Sequence, residues 1–441
     1  MPKPLISRPC GPLKGTVAPP GDKSISHRAI MFGGIAEGET VIKGLLEGED
    51  VLRTVEALRA LDAAIEKIGD GSWHIKGAGL AGLHASAKVL DMGNSGTAAR
   101  LLIGLLSGRP FTSAFTGDAS LCKRPMERVM TPLMQMGARF ESTEGRLPLK
   151  VTGAVQPQPI TYKLPVASAQ VKSAILLAGL SADGVTTIIE PAPTRDHSEN
   201  MLRYFGARLE IKKIPEGEAI ALTGRPHLKG RALTVPGDPS SAAFPLVAAL
   251  LHPSSHVTLK NTGLNPRRTG LIETLLEMGA KLTFANKHEE NGEPVADLMI
   301  EGSELKGVTV PAARAPSMID EYPILAAAAA CAQGTTRMLG LAELRVKESD
   351  RLALMAGGLQ RCGVKVEIEG DDLIVHGTGK APTGNAVIDT AMDHRIAMSF
   401  LVLGSAAKEP IRIDDGRFID TSFPGFVTMM NGLGTSMASC S

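Results

Sequence analysis

Along the chain, stretches with apolar positions three and four residues apart alternate with short β-branched runs of period two, the signature of mixed helix and strand. One pattern recurs six times: a helical stretch ends at a tight turn and hands over to an alternating strand. The copies read LRALDAAIEKI, LMQMGARFES, LRYFGARLEI, LLEMGAKLTF, LQRCGVKVEI and MNGLGTSM. Their turn positions are Asp62, Gly137, Gly206, Gly279, Gly363 and Gly434, spaced 69 to 84 residues apart. A left-handed residue is expected at each, because glycine ends a helix in that conformation without a side-chain penalty. Asp62 breaks the pattern, but aspartate tolerates the conformation better than most residues.

A second helix series runs in phase with the first. Its members begin near Ser26, Ser95, Ser168, Ser240, Asp320 and Asp393. Each opens on a small polar or acidic residue of the kind that caps a helix. Each continues apolar and Ala-rich, and most break before a β-branched strand such as GETVIKG, GVTTIIE or GTTRMLG. Six units of about 73 residues therefore fill the 441 positions. Pro-Gly-Asp-x-Ser at Pro20–Ser24 returns at Pro236–Ser240, close to half a chain later. Two similar domains of three units each are expected, 21–236 and 1–20 plus 237–441. The hinge is expected near Pro20-Gly21 and Pro236-Gly237.

Composition narrows the function. Lys+Arg 47 against Asp+Glu 46 leaves a formal charge of +1, which argues against a general nucleic-acid binder. At 43% apolar residues the chain can build sizeable cores, while 3% aromatics means cores of Ala, Leu, Ile, Val and Met. Cys10, Cys122, Cys331, Cys362 and Cys440 are scattered and odd in number, so neither a disulfide framework nor a Cys-x-x-Cys zinc site is expected. The histidines show no metal-ligand spacing. The Pro-rich start is not a signal peptide, and the Ala-rich run Tyr322 to Ala332 is too short to span a bilayer. A soluble cytoplasmic protein is expected.

The charges are not evenly spread. Helix starts bind anions through free N–H groups and the helix dipole, and the basic and polar residues gather there. GDKSISHR supplies Lys23, Ser24 and Arg28, and GNSGTAAR supplies Asn94, Gly96, Thr97 and Arg100. LCKRPMER supplies Lys123, Arg124 and Arg128, and VASAQVKSA supplies Ser168, Gln170 and Lys172. Arg195, then Lys347, Glu348 and Arg351, then Asp393, His394 and Arg395 complete the set. Singly, each is a surface or cap feature; GNSGT lacks the Gly-Lys-Ser/Thr ending of a phosphate-binding P-loop. Together they suggest a small polyanion carrying phosphate and carboxylate, held in a focused cleft. Asp320 and Glu348 stand among these cations. They are either ion-pair partners or groups that move protons to and from a substrate hydroxyl and a double bond.

The segments GDKSISHRAI, GNSGTAARLL, GDASLCKRPM, LPVASAQVKSAILLAGL, TRDHSENML, VPGDPSSAAFPLVAA, APSMIDEYPILAAAA, LRVKESDRL, DHRIAMSF and TSFP, in this order, resemble the bacterial type of the 5-enolpyruvylshikimate-3-phosphate synthase family. The resemblance covers essentially the whole chain. It implies a two-domain inside-out α/β barrel, each domain three βαβαββ repeats. It also implies transfer of the enolpyruvyl group of phosphoenolpyruvate to the 5-hydroxyl of shikimate 3-phosphate on the way to chorismate and the aromatic amino acids. Phosphate leaves after a tetrahedral intermediate, no cofactor or metal takes part, and the enzyme is expected to act as a monomer. By motif, Lys23, Ser24, Arg28, Ser168, Ala169, Gln170, Arg195, Asp320 and Lys347 would bind shikimate 3-phosphate. Lys23, Gly96, Arg100, Arg124, Gln170, Arg351 and Arg395 would hold phosphoenolpyruvate. Asp320 would take the proton of the 5-hydroxyl, Glu348 would serve proton transfer at the methylene carbon, and Lys23 would assist.

Two departures stand out. Thr421 occupies the place where many relatives carry a lysine before Thr-Phe-Pro, and Ala169 replaces a serine of one branch. Ala169, with SAQVKSA and MIDEYP, is similar to the class II branch, often tolerant of glyphosate. Gly96 keeps the small residue that some tolerant members exchange for alanine, so an inhibitor-sensitive site is expected. The resemblance leaves the UDP-N-acetylglucosamine enolpyruvyl transferases as an alternative; they use a loop cysteine, and Cys122 lies two residues before Arg124. A binding protein that closes on an anionic solute is a further alternative. It would need the cations but not Asp320 and Glu348. Opposed cationic helix ends from the two halves should repel until an anion bridges them, so compaction by shikimate 3-phosphate is expected.

Overall fold

The computed structural model describes residues 2–440. It contains six four-stranded sheets of one topology, and each is built as a parallel pair extended by two antiparallel strands. In the second sheet Leu90–Asp91 runs parallel to Thr112–Thr116, followed by Leu149–Thr152 and Arg139–Ser142. Parallel neighbours need a long crossover, and here it is the helix Gly96–Ser107. Ala169–Gly179, Tyr322–Cys331 and His394–Ala406 make the same crossover in three other sheets.

The chain separates into two compact units. The first is Gly21–Val235 with the hairpin tip Glu290–Glu293; the second comprises the segment up to Pro20, Pro236–Glu289 and the chain from Pro294 onward. Each unit holds three sheets and its own hydrophobic core. In the second unit Leu5–Arg8 is an interior strand between Ile411–Ile413 and Ser436–Ser439, and Lys14–Val17 pairs with His256–Gly263. In the first unit Ala232–Thr234 supplies the parallel partner of Glu37–Lys43.

Two kinds of helix serve each core. Lys23–Ile35, Gly96–Ser107 and Ala169–Gly179 are buried almost all round in the first unit, as are Pro239–Leu251, Tyr322–Cys331 and His394–Ala406 in the second. Helices that must touch neighbours on every side need small residues. A methyl at Gly104 would lie 2.5 Å from Ala174 Cα, so Gly96–Ser107 and Ala169–Gly179 meet backbone to backbone. The partner helices, such as Glu49–Ala60 and Gly270–Glu277, bury one face only. All six predicted turn residues have positive φ: 71° at Asp62, then 102°, 102°, 93°, 82° and 116° at the glycines.

The N-caps follow the expectation at Ser95, Ser168 and Asp393, whose side chains accept from backbone N–H groups. Two positions differ. Ser26 and Ser240 lie inside their helices, and Asp22 and Asp238 cap instead. The aspartates of the Pro-Gly-Asp segments come first in the chain and carry full charge to the helix dipole. Asp320 lies in the turn before Tyr322–Cys331. No described helix is long and apolar enough to cross a membrane.

Candidate active site

In the first unit two of the three buried helices, Lys23–Ile35 and Gly96–Ser107, carry an arginine in their first turns. Arg28, one turn into Lys23–Ile35, is 3% exposed. Its Nε donates to Ser198 Oγ (2.7 Å), Nη2 to Ser173 Oγ (2.8 Å) and Nη1 to the Ser24 carbonyl (2.9 Å). Burial pulls its pKa down to about 10, so it still carries its charge at neutral pH. Its side-chain donors thus go to hydroxyls and a carbonyl rather than to an acid. Lys23 Nζ pairs with Asp50, and Ser24 is half-buried at the same helix start.

Gly96–Ser107 and Ala169–Gly179 share a second group. Arg100 Nη1 donates to Gln170 Oε1 (2.7 Å), and Gln170 Nε2 donates to Thr97 Oγ1 (3.0 Å). Arg124 Nη2 donates to Asn94 Oδ1 (2.7 Å) and Ser120 Oγ (3.2 Å), which fixes its guanidinium beside the start of Gly96–Ser107. Gly96 lies between the two arginines. A methyl there would stand 2.9 Å from Arg100 Nη1 and 3.3 Å from Arg124 Nη1. Ser168 caps the next helix through Val171 N (3.4 Å), with Ala169 beside it and half-buried Arg195 elsewhere in this unit. Lys172 does something else. It is fully buried, 3.0 Å from Glu190 and 2.8 Å from Glu199. Burial alone would lower its pKa, but the two carboxylates outweigh that and raise it. Sequence had grouped it with the anion-facing cations; the tertiary contacts make it a core ion triad.

The second unit gathers acids and cations around one guanidinium. Arg351, 1% exposed, donates through Nε to Asp393 Oδ2 (2.8 Å), through Nη1 to Asp320 Oδ1 (3.2 Å) and through Nη2 to Glu348 Oε2 (2.5 Å). Burial opposes its charge, but Asp393, Glu348 and Asp320 together outweigh burial and raise its pKa. Burial likewise disfavours the Asp393 carboxylate, yet Arg351 and His394 hold its pKa below the usual range. Lys347 Nζ approaches Asp320 Oδ1 at 3.8 Å, and Arg395 Nη1 donates to the Asp320 carbonyl (3.2 Å). Asp320, Lys347, Glu348, Arg351 and Arg395, scattered over 76 positions of sequence, thus form one cluster. Thr421 ends a short helical turn, its hydroxyl on the Phe418 carbonyl (2.6 Å).

Sequence reasoning missed several members. Ser173 and Ser198 orient Arg28, and no local pattern marks them; Asn94, named with GNSGTAAR, orients Arg124. In the second unit Glu321 Oε1 bonds Ser240 Oγ, which also accepts from the buried Arg268 (2.7 Å). The adjacent acids Asp320 and Glu321 were a signal, but only the former was singled out. Cys122 sits in the helical turn Leu121–Lys123 with its thiol on the Gly117 carbonyl (3.3 Å). Among the described residues no group of His, Cys, Asp and Glu side chains is placed to hold a metal ion.

Two three-sheet α/β units, with arginines at buried helix starts and three acids on the Arg351 guanidinium, define a two-domain α/β protein with a charged cluster in each unit. The family described as EPSP synthase (3-phosphoshikimate 1-carboxyvinyltransferase) matches residues 7–430, and the chain belongs to that family. It is 62% identical over 440 residues to the 3-phosphoshikimate 1-carboxyvinyltransferase of Paramagnetospirillum magneticum, covering 99% of each chain. It is 59% identical over 431 residues to the protein of that name from Acidiphilium cryptum, covering 98% of this chain and 96% of that one. Among solved structures, the EPSP synthase of Acinetobacter baumannii superposes with a TM-score of 0.89 at 46% identity, with 100% of both chains covered. The two-domain α/β fold expected from the six repeats is therefore the fold of the chain.

Proposed function

We infer that the chain transfers the enolpyruvyl group of phosphoenolpyruvate to the 5-hydroxyl of shikimate 3-phosphate, releasing phosphate, as a step toward aromatic amino acids. Both substrates carry phosphate and carboxylate charge, which suits guanidinium and ammonium donors at helix starts. The observation that carries the reading is the placement of Asp320 and Glu348 on Arg351. Two carboxylates and a fixed cation then stand together where protons must move.

The reaction balances as addition and elimination. The 5-oxygen bonds to C2 of phosphoenolpyruvate, its proton leaves to Asp320, and the methylene carbon gains a proton through Glu348. The C2–O bond to phosphate then breaks as the new methyl group returns a proton, leaving the enol ether. Lys23, Gly96, Arg100, Arg124, Gln170, Arg351 and Arg395 serve phosphoenolpyruvate, and Lys23, Ser24, Arg28, Ser168, Ala169, Gln170, Arg195, Asp320 and Lys347 serve shikimate 3-phosphate. Neutralising the charge that develops on the transferring groups is the main contribution of the cations. We place the enzyme in the cytoplasm, acting as a monomer, with glyphosate as an inhibitor competing for the Gly96 corner.

The test is phosphate release from phosphoenolpyruvate, with and without shikimate 3-phosphate. Release that requires shikimate 3-phosphate is expected. Correctly folded protein that releases phosphate only with UDP-N-acetylglucosamine, or not at all, would defeat the reading. Cys122→Ser should keep its activity with shikimate 3-phosphate.

A further inference from the structure

The segment Pro-Gly-Asp-x-Ser occurs twice, and the candidate binding residues Lys23 and Ser24 come from its first copy alone. In the second copy Pro239 stands where the first has Lys23, and Ser240 is buried in the first turn of Pro239–Leu251. The Ser240 hydroxyl accepts from Arg268 Nη2 (2.7 Å) and donates to Glu321 Oε1. Arg268 also donates to Asp238 Oδ1 (3.2 Å), and Asp238 caps the same helix. Arg268, Ser240 and Glu321 thus form a chain of charge-assisted hydrogen bonds, stronger than neutral ones, and all three are buried.

Glu321 is a costly residue at this place. It immediately precedes Tyr322–Cys331, yet its side chain caps no N–H group of that helix. Its second oxygen, Oε2, is buried without a hydrogen-bond partner among the described residues. A half-satisfied buried carboxylate costs stability, so neither capping nor packing accounts for it. Its neighbour supplies a reason. Asp320 and Glu321 share one turn, in which Glu321 N donates to the Met318 carbonyl (2.9 Å). Asp320 Oδ1 meets Arg351 (3.2 Å) and Lys347 (3.8 Å), and the Asp320 carbonyl accepts from Arg395 (3.2 Å). Those partners are long side chains. Glu321 instead fastens the turn to the start of another helix through the short side chain of Ser240.

We propose that Glu321 is a positioning residue: tied to Ser240 and Arg268, it holds the turn that places the Asp320 carboxylate for proton transfer. The inference rests on the reading of Asp320 as the group that takes the hydroxyl proton. In this role Glu321 touches no substrate, and its loss acts on kcat through Asp320. A shift of about 1 Å in a reacting group can cost about a hundredfold in rate.

The test is a kinetic double-mutant cycle on the full chain, with shikimate 3-phosphate and phosphoenolpyruvate as substrates. Glu321→Ala and Ser240→Ala should each lower kcat about tenfold to a hundredfold, with the KM for phosphoenolpyruvate little changed. Glu321→Gln keeps the shape and an acceptor for Ser240, so it should recover most of that loss. In an Asp320→Asn background neither alanine change should slow the enzyme further, because effects that run through one residue do not add. Should Glu321→Ala fail to fold, as circular dichroism would show, Ser240→Ala carries the cycle. A further loss on top of Asp320→Asn, a wild-type kcat in the alanine variants, or a Glu321→Gln protein as slow as Glu321→Ala would overturn this inference alone. An Asp320→Asn protein as fast as the wild type would overturn it together with the general-base reading.

Discussion

Gly96 shows how much one hydrogen atom can decide. A methyl there must push Arg100 and Arg124, whose guanidinium groups stand 2.9 and 3.3 Å from the new atom. Arg100 is tied to Gln170 and Arg124 to Asn94, so neither can yield without disturbing a further residue. Glyphosate is longer than phosphoenolpyruvate and should lose more. Gly96→Ala is expected to raise the inhibitory concentration of glyphosate at least about tenfold, or 1.4 kcal/mol, with a smaller rise in KM for phosphoenolpyruvate. Equal inhibition of the two proteins would refute this. Asp320→Asn keeps the shape but cannot accept the hydroxyl proton. Its kcat should fall by about 10²- to 10⁴-fold, the usual worth of a general base, with circular dichroism unchanged.

Elements are held by contacts their own sequence does not announce. Lys172 on Ala169–Gly179 joins Glu190, the last residue of Val185–Glu190, and Glu199 on His197–Tyr204. Removing only the lysine leaves two carboxylates buried without their cation. Lys172→Met should therefore cost about 3–5 kcal/mol in urea unfolding. Adding Glu190→Gln and Glu199→Gln should restore much of that; no recovery would mean the triad is not the cause. The turn residues give the opposite sign. Asp62 has φ 71°, so Asp62→Gly should stabilise slightly. Gly137→Ala should cost about 1–2 kcal/mol for a left-handed non-glycine residue, and a methyl there would also lie 3.2 Å from Ala154 Cβ.

At the scale of the whole chain, the N-terminal segment belongs to a sheet completed by residues some 400 positions later. Leu5–Arg8 pairs on both sides, and Asp415 fastens its approach by accepting from Lys3 N (3.1 Å) and from Arg417 Nε and Nη2. Burial would raise the Asp415 pKa, but Arg417 and the backbone donors bring it down to about 2. A carboxyl with a depressed folded pKa contributes stability above its unfolded value of about 3.9. That contribution is lost as pH falls from about 4 toward 2. Asp415→Asn should flatten this part of the stability–pH curve; an unchanged slope would exclude Asp415 as its source. Deleting residues 2–8 removes an interior strand and should abolish cooperative thermal unfolding of the unit that contains it.

The six-fold repeat, the left-handed turn at all six predicted positions and the clustering of cations at helix starts were readable in the sequence. These depend on local rules: hydrophobic period, turn chemistry and capping all act within a few residues. The same rules misplaced two caps, because several nearby polar residues can compete for one helix start. They also could not separate Arg28 from Lys172, or draw attention to Arg109. All three are cations near helix ends in sequence, and only packing distinguishes them. Arg28 meets Ser173 and Ser198, Lys172 meets two acids, and Arg109 is buried with its Nε and Nη2 unpaired among the described residues. Burial and pairing arise from residues far apart in the chain, so the tertiary structure alone decides which charge is neutralised by acids in the core and which is held among hydroxyls.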